Sequence, residues 1–364
     1  MLNIGPHRYQ AAKGALLDLG EQMEHLGERA LIIGGKTALE RFEDVIRSSL
    51  KEAMIGSSVE VCLGECCLPE IERLIEKVES ERADIVIGMG GGKTLDTAKY
   101  VGELAETSVV TVPTIASSCA GFTNVVYVFN EDGEFIKQEQ LSSCPDLMLV
   151  DYKVAGHAPS RFLGAGMANS IAISSGVGLS REDLKSSQPR QIAYELSRHV
   201  QKDLKERGTG AIADARKGEI TGAMEAAIEI NILESGLISC LGGRAFNMSL
   251  AHLLAHQLYR YCGEDIISGE LVGFGTLVME SLKGEEREEL QELYEFYREI
   301  NIPLTLEELN LPANQRENIL EEAAEVIVDQ LEDWMFSFEI TGDRLVKTIL
   351  KTDSRGQKIQ QGEI

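Results

Sequence analysis

The chain has 364 residues, 43% of them hydrophobic, and carries a formal net charge of −24. That charge argues against a nucleic-acid surface and favours solubility, and it means that any phosphate site must be compensated locally. The sequence holds no apolar run of the roughly 18 residues that a membrane span needs, and the N-terminus MLNIGPHRYQ lacks the basic and apolar regions of a signal peptide.

In chain order, residues 10 to 27 read as a helix ending at Gly27, and Ala30-Leu31-Ile32-Ile33 reads as a strand that stops at Gly34-Gly35. Residues 37 to 54 are amphipathic and helical, and Val59 to Leu63 read as a second strand. A charged helix over 69 to 82 opens on Pro69, a favoured early helix position. Ile85-Val86-Ile87 then reads as a buried parallel strand, followed by four glycines within five residues, Gly88, Gly90, Gly91 and Gly92. Leu95, Ala98, Tyr100 and Val101 continue at helical spacing, and Val109 to Pro113 form the next strand.

This βαβαβαβ run predicts a parallel sheet covered on both faces, with ligands at the carboxyl ends of its strands. Gly34-Gly35, the glycine loop and Thr114-Ile115-Ala116-Ser117-Ser118 all fall there. Glycines allow positive φ and close backbone approach, and the free N–H groups of the following helix attract an anion, so strand, loop and helix together suit a phosphate. Neither G-x-G-x-x-G nor G-x-x-x-x-G-K-[ST] fits the loop, which leaves a tight structural turn as the plainer alternative.

Further along, Glu131-Asp132-Gly133 between Val125–Phe129 and Phe135-Ile136 signals a hairpin, and Leu147 to Val150 form another strand. Beyond Pro159 the pattern is almost wholly helical. The fold class is therefore α/β, with an N-terminal parallel-sheet domain over residues 1–160 and an all-helical C-terminal domain over 161–364 that completes a cleft.

Seven cysteines with no framework spacing point to free thiols in a reducing cytoplasm. His252 and His256, at i and i+4 in MSLAHLLAHQL, share a helix face and are the metal-ligand candidates among six histidines. No third ligand is placed by spacing. His7, His25, His157 and His199 read as surface or loop residues. Ser118-Cys119 at a strand end suit ligand contact better than nucleophilic catalysis, since no histidine–carboxylate partner is evident.

GMGGGKTLDTAK, VPTIASSCA, CPDLMLVD and APSRFLGAGMANSIA, followed by LGGRAFNMSLAH and SGELVGFGTL, resemble the ordered motifs of the glycerol dehydrogenase group of the iron-containing alcohol dehydrogenase superfamily. The resemblance implies a dinucleotide-binding domain, a helical domain, and a nicotinamide cofactor with a divalent metal between them. It also implies a small-molecule substrate and a homo-oligomer. By position, Gly90, Gly91, Gly92 and Lys93 would hold the cofactor pyrophosphate, with Asp96, Thr114 and Ser117 further along it.

The resemblance also carries departures. The family holds its zinc or iron with an aspartate and two histidines; here those positions are Asn169, His252 and Ser268. An amide oxygen is neutral and a serine hydroxyl is a poor ligand, so a weak or absent metal is expected. Where glycerol dehydrogenases carry a substrate-contacting aspartate, this chain has Ser118-Cys119-Ala120, a segment closer to a branch that reduces 2-oxo acids. Gly34-Gly35-Lys36 replaces the carboxylate that bonds the ribose 2′-OH, so NADP is as acceptable as NAD. The expected function is an NAD(P)-dependent alcohol, polyol or 2-hydroxy acid dehydrogenase whose catalytic candidates are His252, His256, Asn169 and Ser268. A non-catalytic nucleotide-binding relative, or a metal-free enzyme of different chemistry, stays open at this stage.

Overall fold

The computed structural model describes residues 2–176, 187–263, 265–284, 287–331 and 340–363. Its first half is a six-stranded sheet built from β1 (Arg8–Ala12), β2 (Arg29–Gly34), β3 (Gly56–Val61), β4 (Ile85–Gly90), β5 (Ser108–Pro113) and β8 (Leu147–Asp151). The spatial order is β1-β8-β5-β4-β2-β3, and every pairing is parallel. Between the strands run α1 (Leu19–Met23), α2 (Lys36–Glu52), α3 (Leu68–Glu81) and α4 (Gly92–Leu104).

Alternation along the strands feeds two cores. Ile32, Ile85, Ile87, Val110 and Leu149 face one buried cluster, while Leu31, Ile33 and Val86 face another beneath α3 and α4. The chain leaves β2 outward to β3 and returns to β4 on the other side of β2. The strand order thus reverses between β2 and β4, and a crevice opens above their carboxyl ends.

One expected helix is corrected. Residues 10 to 27 do not form a single helix, because Arg8–Ala12 pairs as an edge strand along β8, in register Arg8 to Leu147 through Ala12 to Asp151. Tertiary pairing overrides local propensity there, and Gly14 at φ +82° breaks the chain before a short 3₁₀ turn at Ala15–Asp18. The second strand also begins earlier than expected, at Gly56, and ends at Val61.

The expected hairpin is present as β6 (Val125–Phe129) and β7 (Phe135–Gln140), antiparallel to each other and separate from the main sheet. Its turn is closed by Asn130, whose Oδ1 accepts from the amides of Asp132 at 3.1 Å and Glu134 at 2.8 Å.

After β8, the described residues form helices only. They are α5 (Tyr152–Gly156), α6 (Ser160–Gly176), α7 (Gln188–Lys217), α8 (Gly222–Glu229), α9 (Ser235–Gly242), α10 (Arg244–Asn247), α11 (Leu250–Tyr259), α12 (Ser268–Lys283), α13 (Glu288–Glu299), α14 (Arg316–Gln330) and α15 (Gly342–Gln361). The helical expectation for 177–186 and 332–339 lies outside the described residues. Alpha-helices α8 and α9 are continuous except for a π turn at Ile230–Glu234. No helix among the described residues is long and apolar enough to cross a membrane.

Candidate active site

A cleft of about 770 Å³ lies between the carboxyl ends of the strands and the helices α6, α11 and α12. The glycine loop forms one wall. Gly91 precedes α4 and no side chain caps that helix, so its first N–H groups stand free at the cleft. Space, rather than dihedral freedom, requires the glycines: Gly91 has φ −87°, and Gly88, Gly90 and Gly92 are not among the positive-φ residues. A Cβ on Gly90 would lie 2.9 Å from Thr94, one on Gly91 2.8 Å from the Ile115 methyl, and one on Gly92 3.2 Å from Ser118 Oγ. The expected use of positive φ is therefore corrected to close packing and open approach.

Ser117, Ser118 and Cys119 line the same cleft, and Thr114 sits just behind it, its amide bonded to Gly90 O at 3.0 Å. Burial pushes the Cys119 thiol up to about 12, so the residue is an uncharged wall. Gly34, Gly35 and Lys36 stand across the crevice at the end of β2 and outside the main cleft lining. Gly35 is close enough that a Cβ there would sit 3.6 Å from Thr94 Oγ1, and Lys36 is exposed.

Asp96, expected along the cofactor, lines the cleft as an ion-paired residue. Its carboxylate is buried, 3.0 Å from the ammonium of Lys99, and accepts from the Tyr127 amide at 3.2 Å. Lys99, 2% exposed, donates to the carbonyls of Ala120, Thr123 and Val125 at 2.6, 3.0 and 2.6 Å. This pair pins the 120–125 segment to α4, and Asp96 contributes a buried counter-charge at the cleft wall.

Opposite the glycine loop, α6 and α11 bring Asn169 and His252 together. Nε2 of His252 lies 3.2 Å from Asn169 Oδ1, and Nδ1 lies 2.8 Å from Ser249 Oγ. Burial lowers the His252 pKa to about 4, so the ring is neutral at pH 7. With Asn169 turning its amide oxygen to the ring, Nε2 is the donor of that contact and Ser249 donates to Nδ1; with the amide turned over, both directions reverse. His256, one turn on, stacks on Phe135 with ring centroids 4.4 Å apart and faces Tyr127 and Phe129 of the hairpin. Burial and the neighbouring ring lower its pKa to about 3, and its Nε2 is buried without a partner. Ser268 begins α12 at the cleft. The structure thus brings all four expected residues, His252, His256, Asn169 and Ser268, to one cleft facing the glycine loop. His7, His25, His157 and His199 are exposed.

Sequence reading gave Lys93 to the pyrophosphate but missed its partners Glu65 and Tyr259, and it missed Arg161, because these contacts join residues distant in the chain. Lys93 is paired with Glu65 of the loop after β3, and its Nζ donates to Tyr259 Oη at 2.7 Å, spanning the cleft from α4 to α11. Arg161 at the start of α6 is bonded through Nε and Nη2 to the buried carboxylate of Glu270. That carboxylate also accepts from the Ile267 amide at 3.0 Å, capping α12 and fixing Ser268 in its first turn. A Glu three residues after a helix start was the available signal.

A family model described as iron-containing alcohol dehydrogenase matches residues 6–152. The chain is 32% identical over 98% of its length to a glycolaldehyde reductase of Halobacterium salinarum, 98% of which is covered. It is 33% identical to a glycerol dehydrogenase of Thermotoga maritima, with 88% of each chain covered. The chain belongs to the iron-containing alcohol dehydrogenase superfamily. Within it the protein is glycerol dehydrogenase-like and an alcohol dehydrogenase-type oxidoreductase. A crystal structure of a probable glycerol dehydrogenase from Sinorhizobium meliloti 1021 superposes with a TM-score of 0.85 at 27% identity, covering 97% of this chain and 98% of the other.

Proposed function

We propose that this dehydrogenase interconverts a small hydroxy compound and its aldehyde or 2-oxo counterpart with NAD(P), and that it does so without a tightly held metal. Support for the nucleotide comes from the glycine cradle: an uncapped helix start, close-packed glycines, and Lys93 beside it offer backbone donors and one cation to a diphosphate. The exposed Lys36 at the end of β2, in place of a carboxylate, removes the charge that would reject a 2′-phosphate, so NADP(H) is accepted. When bound, the nicotinamide exchanges a hydride with the carbon bearing the reacting oxygen.

The observation that carries the metal-free reading is the bond between Asn169 and His252. His252 Nε2 meets the neutral amide oxygen of Asn169 at 3.2 Å, and the residue at the remaining position that the resemblance implies is a serine. No group of three His, Cys, Asp or Glu side chains suited to a metal forms among the described residues. A neutral amide, a serine hydroxyl and a single imidazole are a poor ligand set for zinc or iron.

What these residues offer instead is hydrogen bonding. The Nε2–H of His252 is a neutral donor that can turn from Asn169 to a developing oxyanion, and Ser268 offers a hydroxyl at the start of α12. Asn169 holds the imidazole in the right tautomer and orientation until substrate arrives. The alkoxide then takes its proton from water in the cleft. His256, walled by the hairpin aromatics, offers its unpartnered Nε2 as a further polar contact.

The test is a panel of glycolaldehyde, dihydroxyacetone, glyoxylate and pyruvate with NADH and NADPH, with and without added zinc. Turnover without zinc, using either nucleotide, is expected. Consumption of neither nucleotide under any of these conditions would refute the reading.

A further inference from the structure

Asn231 is fully buried in the π turn between α8 and α9, outside the cleft lining. Its side-chain amide donates to the carbonyl of Ala116 at 2.8 Å and to that of Leu163 at 3.1 Å. Its Oδ1 lies 3.1 Å from Ser170 Oγ, which in turn receives a hydrogen bond from Ser235 at 2.8 Å. A π turn widens the helix by one residue and recurs at functional sites; here it directs one asparagine to both the loop after β5 and α6.

Those two elements carry opposite walls of the cleft. Ala116 lies next to Ser117 on the loop that ends β5, and Ser170 lies next to Asn169 on α6. The packing between them leaves no slack. A Cβ on Gly166 would lie 2.0 Å from Ala116 O and 2.3 Å from Asn231 Nδ2. The third element is tied in the same way, because a Cβ on Gly269 would lie 2.4 Å from Ala165 O, beside Ser268.

We infer that Asn231 is a positioning residue, which sets the separation between the Ser117–Cys119 loop and the Asn169–His252 pair. A hydride transfer depends steeply on that separation, and a misplacement of about 1 Å can cost on the order of a hundredfold in rate. The inference rests on the oxidoreductase reading above, but it concerns a residue that touches neither nucleotide nor substrate.

The experiment compares Asn231→Leu, which keeps the branching and the number of side-chain heavy atoms and removes the amide, with Ser170→Ala, which removes only the neighbouring hydroxyl. Nucleotide dissociation constants are read from NADH or NADPH fluorescence, single-turnover rates from nicotinamide absorbance, and isotope effects from 4-deuterated nucleotide. For Asn231→Leu we expect the hydride-transfer rate to fall about 10- to 100-fold, with nucleotide affinity changed by less than about threefold and a larger isotope effect than in the unmodified protein. Ser170→Ala is expected to show the same pattern at a few-fold loss.

A folded Asn231→Leu protein of lower melting temperature whose single-turnover rate is unchanged would overturn the inference, leaving a structural pin only. If Asn231→Leu does not fold, Ser170→Ala decides: a slower transfer at unchanged nucleotide affinity supports the inference, and an unchanged rate overturns it. Failure of the oxidoreductase reading itself would appear separately, as absence of turnover in the unmodified protein.

Discussion

The two walls of the cleft are built on different principles. On the sheet side, a contiguous stretch from Ile85 to Lys99 supplies strand, glycine loop, helix start and an internal counter-ion pair, Asp96 with Lys99. On the helical side, the polar centre is assembled from single residues of three helices, Asn169, His252 and Ser268, none of which works alone. The first wall tolerates change only where a side chain would fill space meant for a ligand. The second depends on single side chains held by separate helices, and the resemblance to the family implies that its amide and hydroxyl stand at ligand positions.

The largest effect should come from changing those two positions. Asn169→Asp with Ser268→His restores one carboxylate and a second imidazole around His252. The double variant should gain several orders of magnitude in zinc affinity over the unmodified protein, read by competition with a chromogenic chelator. A double variant that binds zinc no better would mean that the helices do not hold these positions in a ligating arrangement.

A pair of glycine substitutions separates structural from functional close packing. Gly166→Ala sets a Cβ 2.0 Å from a backbone carbonyl that cannot move freely, and should cost about 3 kcal/mol of stability by denaturant titration. Gly92→Ala sets a Cβ 3.2 Å from Ser118 Oγ and 3.5 Å from the Ala120 methyl on the cleft side. Its stability should barely change, while NADH binding weakens about 100-fold, or about 2.7 kcal/mol. Equal losses of stability in the two variants would contradict the distinction.

The smallest expected effect is at Cys119. With its pKa pushed up to about 12 by burial, the thiolate is scarce at neutral pH, and its share falls tenfold for each pH unit below that value. Alkylation by iodoacetamide at pH 8 should be on the order of a thousandfold slower than for a free cysteine. Mass spectrometry of the modified peptide gives the rate, and fast labelling would make Cys119 a nucleophile after all.

The same contrast explains what the sequence made legible. The glycine loop, the alternation of strands and helices, and the hairpin at Asn130–Glu134 are local patterns, and each appears in the fold near its expected place. Residues 10 to 12 were read as the start of a helix because the strand character of Arg8–Ala12 comes from β8, more than a hundred residues away. The roles of Lys93, Arg161 and Asn231 depend on Glu65 and Tyr259, on Glu270, and on Ala116 and Leu163, and no local spacing announces such partners. Asp96 was assigned to the cofactor side by its motif and does line the cleft; its pairing with Lys99 is visible only in the fold. Family position located Asn169, His252 and Ser268; only the folded chain brings the His252 ring to Asn169.

The most direct test of the metal-free centre is elemental analysis of protein purified without chelator or added metal, beside NAD(P)H turnover before and after EDTA. The account predicts zinc and iron far below one per chain and turnover that EDTA leaves unchanged. About one metal per chain, with activity lost to the chelator and restored by zinc, is what a ligated metal requires and would contradict it.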